Sequence, residues 1–252
     1  MRYRVVDCNC MLGGQMAYNR INRVENLLSI MDEKGIDSAV VFSASAKEIH
    51  QGANEKLGEI LSSCDRLLPC FVALPHYTGE CKEPAAMLDD MRRCGSRAVR
   101  IFPEHHRARL HIWLWKDLFD ALCEKRIPLL IDFSNPNWST DLDYDGVRSI
   151  CLAYPDLPVV LMRASASADR YIYSMLDHCP NLYIDMSYYQ PHRGIYNIVS
   201  RFSSGRLLYG SGLPEYEPDC ALSAILNSGV GKEDMRRILA GNWERLWGEA
   251  LL

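Results

Sequence analysis

The chain has 252 residues, 48% hydrophobic and 24% charged, with a formal net charge of −4. That length can bury one large core. The balance excludes a basic nucleic-acid tract, an acidic tail and, with no run near ~20 apolar residues, a membrane span.

In chain order, short apolar runs alternate with helical patterns. Strands are predicted at Arg4–Val6, Ser38–Phe42, Leu67–Leu74, Ala98–Phe102, Pro128–Asp132, Pro158–Met162, Leu182–Asp185 and Leu207–Tyr209. Helices are predicted between them at Ile21–Lys34, Ala53–Ser63, Pro84–Cys94, Lys116–Lys125, Asp145–Tyr154, Asp169–His178, Ile195–Ser200 and Asp219–Asn227. About 31 residues per unit is the size of a βαβ repeat. The strands are continuous and rich in Val, Ile and Leu rather than alternating, which suits a parallel sheet buried on both faces. The fold class is therefore α/β, a single-domain (β/α)8 barrel over residues 1–252, with a doubly wound open sheet as the alternative. Gly35 and Gly95 stand where left-handed residues end helices. Pro128 and Pro158 open strands, a position that needs no ladder donor. The longest polar connection runs from Ser134 to Asp143 and carries Asn135, Asn137 and Trp138.

Ten cysteines form no C-x-x-C pair and no zinc-finger spacing with histidine, so packing as small hydrophobes is expected. A reducing cytoplasm is the expected compartment, because Met1-Arg2-Tyr3-Arg4 also lacks a signal peptide's apolar stretch. Alternation along a strand would point Cys8 and Cys10 at the surrounding helices and Asn9 and Met11 at the interior.

Two segments carry a resemblance. Val6-Asp7-Cys8-Asn9-Cys10-Met11-Leu12-Gly13 resembles the "D-x-H-x-H-x-G" opening strand of the amidohydrolase superfamily, in its amidohydrolase-related (amidohydrolase 2) branch. Gly210-Ser211-Gly212-Leu213-Pro214 resembles that branch's closing "G-(S/T)-D-x-P". Further stretches agree in order: Glu25–Asp37 with the "lL-x-x-MDe-x-GId" helix and turn, Ala53-Asn54-Glu55 through Pro75 with "aN-x…dRl…a-x-P", Asp185-Met186-Ser187 with "D-x-S", and Ile238–Gly248 with the closing helix. The resemblance implies the barrel fold and a hydrolase-type site at the C-terminal ends of the strands.

It also implies a metal that these residues argue against. Asn9, Met11 and Gly212 stand where the family places two histidines and an aspartate, and Asp132 and Arg163 stand where it places two further histidines. One carboxylate beside a fixed positive charge does not make a transition-metal site, so neither a metal nor another cofactor is expected. Asp132 and Arg163 are the catalytic candidates, Asp132 as acid or base and Arg163 as anion holder. The structural reading makes them an ion pair plugging the barrel mouth. Substrate-binding candidates are Asn9, Arg100, Glu104, His105, Tyr188 and Glu215, with Asp185, Ser187 and Tyr189 also expected at the rim. Arg100, between Val99 and Ile101, should point inward, where a lone charge needs a partner. Glu104-His105-His106 is read as a polar loop rather than a rebuilt metal site. No nucleophile elbow, P-loop or dinucleotide fingerprint occurs. The function expected is a metal-independent hydrolase or lyase acting on a small polar or anionic molecule. The alternative is a non-catalytic descendant that binds a small ligand or protein partner. A homodimer is expected from the tryptophans of His111-Ile112-Trp113-Leu114-Trp115.

Overall fold

The computed structural model describes residues 2–13, 21–133 and 142–252. Asn135, Asn137 and Trp138 lie outside them, as does most of the polar connection that carries them.

Strand β1 (Val6–Leu12) opens a parallel series. It continues through β2 (Ser38–Ser43) and β3, which has two pieces, Leu67–Pro69 and Phe71–Val72, on either side of Cys70. Then come β4 (Val99–Ile101), β5 (Leu129–Ile131), β6 (Val159–Leu161), β7 (Leu182–Asp185) and β8 (Leu207–Leu208), each parallel to its predecessor. The Cys70 amide donates to Val41 O (2.8 Å) and that of Phe71 to Ala98 O (3.1 Å), so the interrupted strand bridges its neighbours. The last strand returns to the first: Cys8 N–H reaches Tyr209 O at 2.9 Å and Met11 N–H reaches Leu213 O at 2.8 Å. Closure of the ring decides for the barrel and against the open sheet.

Helices α1 (Val24–Lys34), α2 (Ala44–Lys47), α3 (Ala53–Leu61), α4 (Pro84–Cys94), α5 (Ile112–Glu124), α6 (Tyr144–Ala153), α7 (Asp169–His178), α8 (Gly194–Phe202) and α9 (Pro218–Leu226) surround it. Outward strand residues such as Val99, Ile101, Leu129 and Ile131 join the helices' apolar faces in one core. Inward ones (Val40, Phe42, Leu130, Val160, Leu208) make a second, into which Trp243 and Leu246 of the last helix, α10 (Asn242–Glu249), insert. Arg97, just before β4, donates to Trp247 O at 3.3 Å, so this helix caps the end of the barrel opposite the strands' C-termini.

Three boundaries differ from expectation by three residues or more. β1 covers Val6–Leu12 rather than Arg4–Val6, because Asp7 and Asn9 are buried and find partners on distant strands. α5 begins at Ile112, a turn before the predicted Lys116. α1 begins at Val24, and Ile21 instead bridges to Gly13. All ten cysteines are free, and no helix among the described residues is long and apolar enough to cross a membrane.

Candidate functional site

Side-chain alternation on β4 sends Arg100 into the barrel, where it is 1% exposed. It is not a lone charge. Its Nε donates to Asp132 Oδ2 at 3.0 Å, and its Nη2 donates to the same oxygen and to Asn9 Oδ1 at 2.9 Å. The guanidinium lies over the Phe42 ring, 4.1 Å from its centroid. Asp132, just past β5, is 0% exposed. Arg163, just past β6 and 4% exposed, approaches that carboxylate from the other side, with Nε 3.4 Å from Oδ2. Its Nη1 pairs with Glu215 after β8. Asp132 is thus clamped between two guanidinium groups, Arg100 more closely than Arg163, and Glu215 is the closer partner of Arg163.

A second network lies against the first. The Asn9 amide nitrogen donates to Asp185 Oδ2 and Ser187 Oγ, both at 3.1 Å. Asp185 also accepts from the backbone N–H of Arg163 (3.0 Å) and Ser187 (2.9 Å) and from Ser187 Oγ (2.6 Å). Arg163 reaches this geometry at φ 54°, a left-handed conformation that costs a non-glycine residue roughly 1–2 kcal/mol. Its amide and its side chain therefore each meet a carboxylate. Burial raises Asp185 above the ordinary carboxylate range, against the lowering hydrogen bonds of Ser187 and of the Arg163 amide. Burial also opposes the charge of Arg163, but Asp132 and Glu215 outweigh it and raise the group further.

The opening strand corrects the expected facing of its thiols. The register with β2 shifts between Asp7 and Cys10. Such a bulge places two consecutive residues on one face, and Cys8 and Asn9 both turn inward. Cys8 joins the interior core, with Sγ 3.8 Å from Asp185 Oδ1, and only Cys10 faces the helices. Cys10 Sγ donates to Asp7 Oδ2 at 3.0 Å, while Asp7 Oδ1 accepts from the Asn9 and Ser211 amides at 2.9 and 2.8 Å, pinning β1 to β8. Burial pushes both thiols well up, so neither is a poised nucleophile.

The remaining candidates are dispersed. Tyr188 lies at the mouth, its ring 5.5 Å from that of Tyr216, which in turn packs 5.7 Å from the Arg163 guanidinium. Tyr189 does not join the rim: it is buried and its hydroxyl donates to Asp169 at 2.8 Å. Glu104 is exposed outside the network, and His105 pairs with Glu48 at 3.3 Å. His106 turns Nε2 to Lys47 O at 2.7 Å. Lys47 itself belongs to the site and was not anticipated. It is 6% exposed, with its ammonium 5.1 Å from the Phe102 ring centroid. Burial lowers it, while Asp132 and Glu215 act in the opposite direction. Only its place shortly after β2, on the barrel's C-terminal side, marked it in the sequence.

These residues do not fit a family-type metal. The Asn9 amide is spent on Asp185, Ser187 and Arg100, Asp132 on two arginines, and Arg163 is a cation. Gly212 sits at φ +76°, and a side chain there would meet the Tyr216 ring, its Cβ 2.6 Å from Cδ2. No group of three or more His, Cys, Asp or Glu side chains that could hold a metal occurs among the described residues. Space beside Asp132 and Arg163, bounded by Tyr144 and Ser165, amounts to about 10 Å³, room for one water at most.

Neither a family model nor a curated protein matches the sequence. Solved structures share the fold. An uncharacterised TIM-barrel protein from Bordetella bronchiseptica is 17% identical with a TM-score of 0.78, covering 98% of this chain and 99% of that one. The 2,6-dihydroxybenzoate decarboxylase from Rhizobium is 13% identical over the same shares, also at 0.78. An amidohydrolase from Burkholderia multivorans is 12% identical at 0.72, covering 97% and 99%.

Proposed function

We propose that the chain is a divergent, metal-independent relative of the amidohydrolase-related barrels, whose mouth binds a small anionic molecule. The observation that carries this reading is the clamp of Arg100 and Arg163 on Asp132. Positive side chains occupy the place where the resemblance puts a dication, and Lys47 adds a third cation facing Asp132 and Glu215. The structural relatives described as decarboxylases and hydrolases fit a site for small acids, 2,6-dihydroxybenzoate being the one named for two of them.

Of the two activities expected, the geometry favours binding without turnover. A general acid or base must reach the proton it moves. Asp132 is wholly buried and spent on two guanidinium groups, with only about 10 Å³ beside it, so an acid held at the rim does not reach it. Differential melting tests the reading: at fixed ionic strength, benzoate or acetate in large excess over Kd raises the melting temperature by about 3–5 °C, and neutral benzamide does not. No shift with any small carboxylate contradicts it.

We also propose a homodimer in a reducing, cytoplasmic setting, the latter supported by ten free cysteines. Trp113 is 72% exposed and stacks with His111, and the exposed Tyr77 donates to Asp117, four residues further along the same helix, at 3.0 Å. Light scattering at tens of micromolar, roughly the range of weak association, is expected to give twice the chain mass, and Trp113→Glu the single mass. A wild-type monomer there refutes the dimer.

A further inference from the structure

A cavity of about 410 Å³ lies between the segments that follow β2 and β3. Small-molecule pockets have this size, roughly 300–1,000 Å³. The described residues that line it all fall between Ala46 and Asp90, so none of Asn9, Arg100, Asp132, Arg163 and Glu215 is among them. Its floor is apolar: Ala53, Phe71, Val72, Leu74 and Met87 line it, each 8% exposed or less. The backbone of Val72 in that floor is already paired, because the Asn54 side chain accepts from its N–H at 2.9 Å and donates to its carbonyl at 2.8 Å. Water there finds few partners, and an apolar group that displaces it gains burial.

The walls are held in place. Lys82 Nζ pairs with Glu55 of α3 at 2.7 Å and with Asp90 of α4, tying together the two helices that flank the cavity. Ile49, which also lines it, sits at φ 61°, just past α2. Glycine ordinarily takes that left-handed position after a helix, and a β-branched residue there is an outlier of the kind that collects at binding sites.

Charge at the rim selects the guest. Lys82 is the one lysine or arginine among the described lining residues, and Glu55 and Asp90 already answer it, with Arg93 on Asp90 as well. Glu80 is exposed at the rim beside His50 and Gln51. Its carboxylate accepts from Thr78 Oγ1 at 2.6 Å, and no basic side chain among the described residues pairs with it. We infer that this cavity is a second small-molecule site and that its ligand is an organic ammonium with an apolar body, an aryl or alkyl amine. The body lies on Phe71, Val72, Leu74 and Met87, and Glu80 holds the ammonium. This site stands or falls apart from the anion-binding mouth.

Titration calorimetry at about pH 8, above the ordinary histidine range, tests it with phenethylammonium, phenethyl alcohol and hydrocinnamate on wild type, Glu80→Gln and Ala53→Met. Wild type is expected to bind the ammonium, with the alcohol about three- to tenfold weaker and the carboxylate weakest. Glu80→Gln, at an exposed position, should melt with wild type and bring the ammonium down to the alcohol's affinity. Ala53→Met puts a longer side chain into the floor and should abolish binding of both. If ammonium and alcohol bind wild type alike, or Glu80→Gln leaves the ammonium's affinity unchanged, the charge assignment is overturned. If the carboxylate binds tightest, Lys82 anchors the guest and the ammonium class is wrong. Undiminished binding by a folded Ala53→Met places the guest elsewhere, and no binding of any probe up to ~10 mM, a very weak affinity, overturns the site itself.

Discussion

Replacing Asp132 with alanine is expected to lower stability by about 3–5 kcal/mol, the usual cost of stranding a buried charge. In a chain of this size that is a fall in melting temperature of roughly 6–20 °C. Asp132 is 0% exposed and stands between Arg100 and Arg163, themselves 1% and 4% exposed. Without it Arg100 keeps, among the described residues, the Asn9 carbonyl and the Phe42 and Phe102 faces, while Arg163 keeps Glu215, whose side chain is 30% exposed. Arg163→Met should cost less, because Asp132 retains its closer partner. The triple variant Arg100→Met, Asp132→Leu, Arg163→Met should recover most of the loss, since apolar groups of similar volume often replace a buried ion cluster without penalty. A melting temperature within 2 °C, on the order of 0.5–1 kcal/mol, for Asp132→Ala would mean that water or rearrangement already satisfies the arginines.

Asp185→Ala is expected to cost about 3 kcal/mol or more, because one carboxylate serves four buried N–H and O–H donors besides the Cys8 thiol. It accepts from the Asn9 amide, the Arg163 and Ser187 backbone N–H groups and the Ser187 hydroxyl. An unsatisfied buried donor costs about 1–3 kcal/mol, and the left-handed conformation of Arg163 loses its compensating hydrogen bond. Asp185→Asn keeps the volume but turns an NH₂ toward some of those donors, so its loss should be intermediate. Chemical denaturation of the three proteins checks the order; equal midpoints for wild type and Asp185→Ala would exclude a structural role for this network.

The barrel was legible because its signals are local. Strands buried on both faces read as unbroken apolar runs, and Gly35 and Gly95 end α1 and α4 in the left-handed conformation their positions suggested. Inward pointing of Arg100 followed from Val99 and Ile101 on the same short strand. What escaped depends on distance along the chain. The inward facing of Asn9 was expected, but not the length of β1 around it, because its partners Asp185 and Ser187 lie 176 and 178 residues away. The bulge that turns Cys8 inward breaks a period of two that any reading of alternation assumes. Lys47 lies on a helix of four residues, too short to announce itself by periodicity. Its burial comes from the closure of the barrel around it.

Arginines occupy the place of a metal in this barrel mouth, and elemental analysis of protein purified without chelator tests that substitution most directly. Well under one equivalent of zinc, iron or manganese per chain is expected, with no change in melting temperature on adding a chelator. One tightly held transition-metal ion per chain, lost with a fall in melting temperature on chelation, would contradict it.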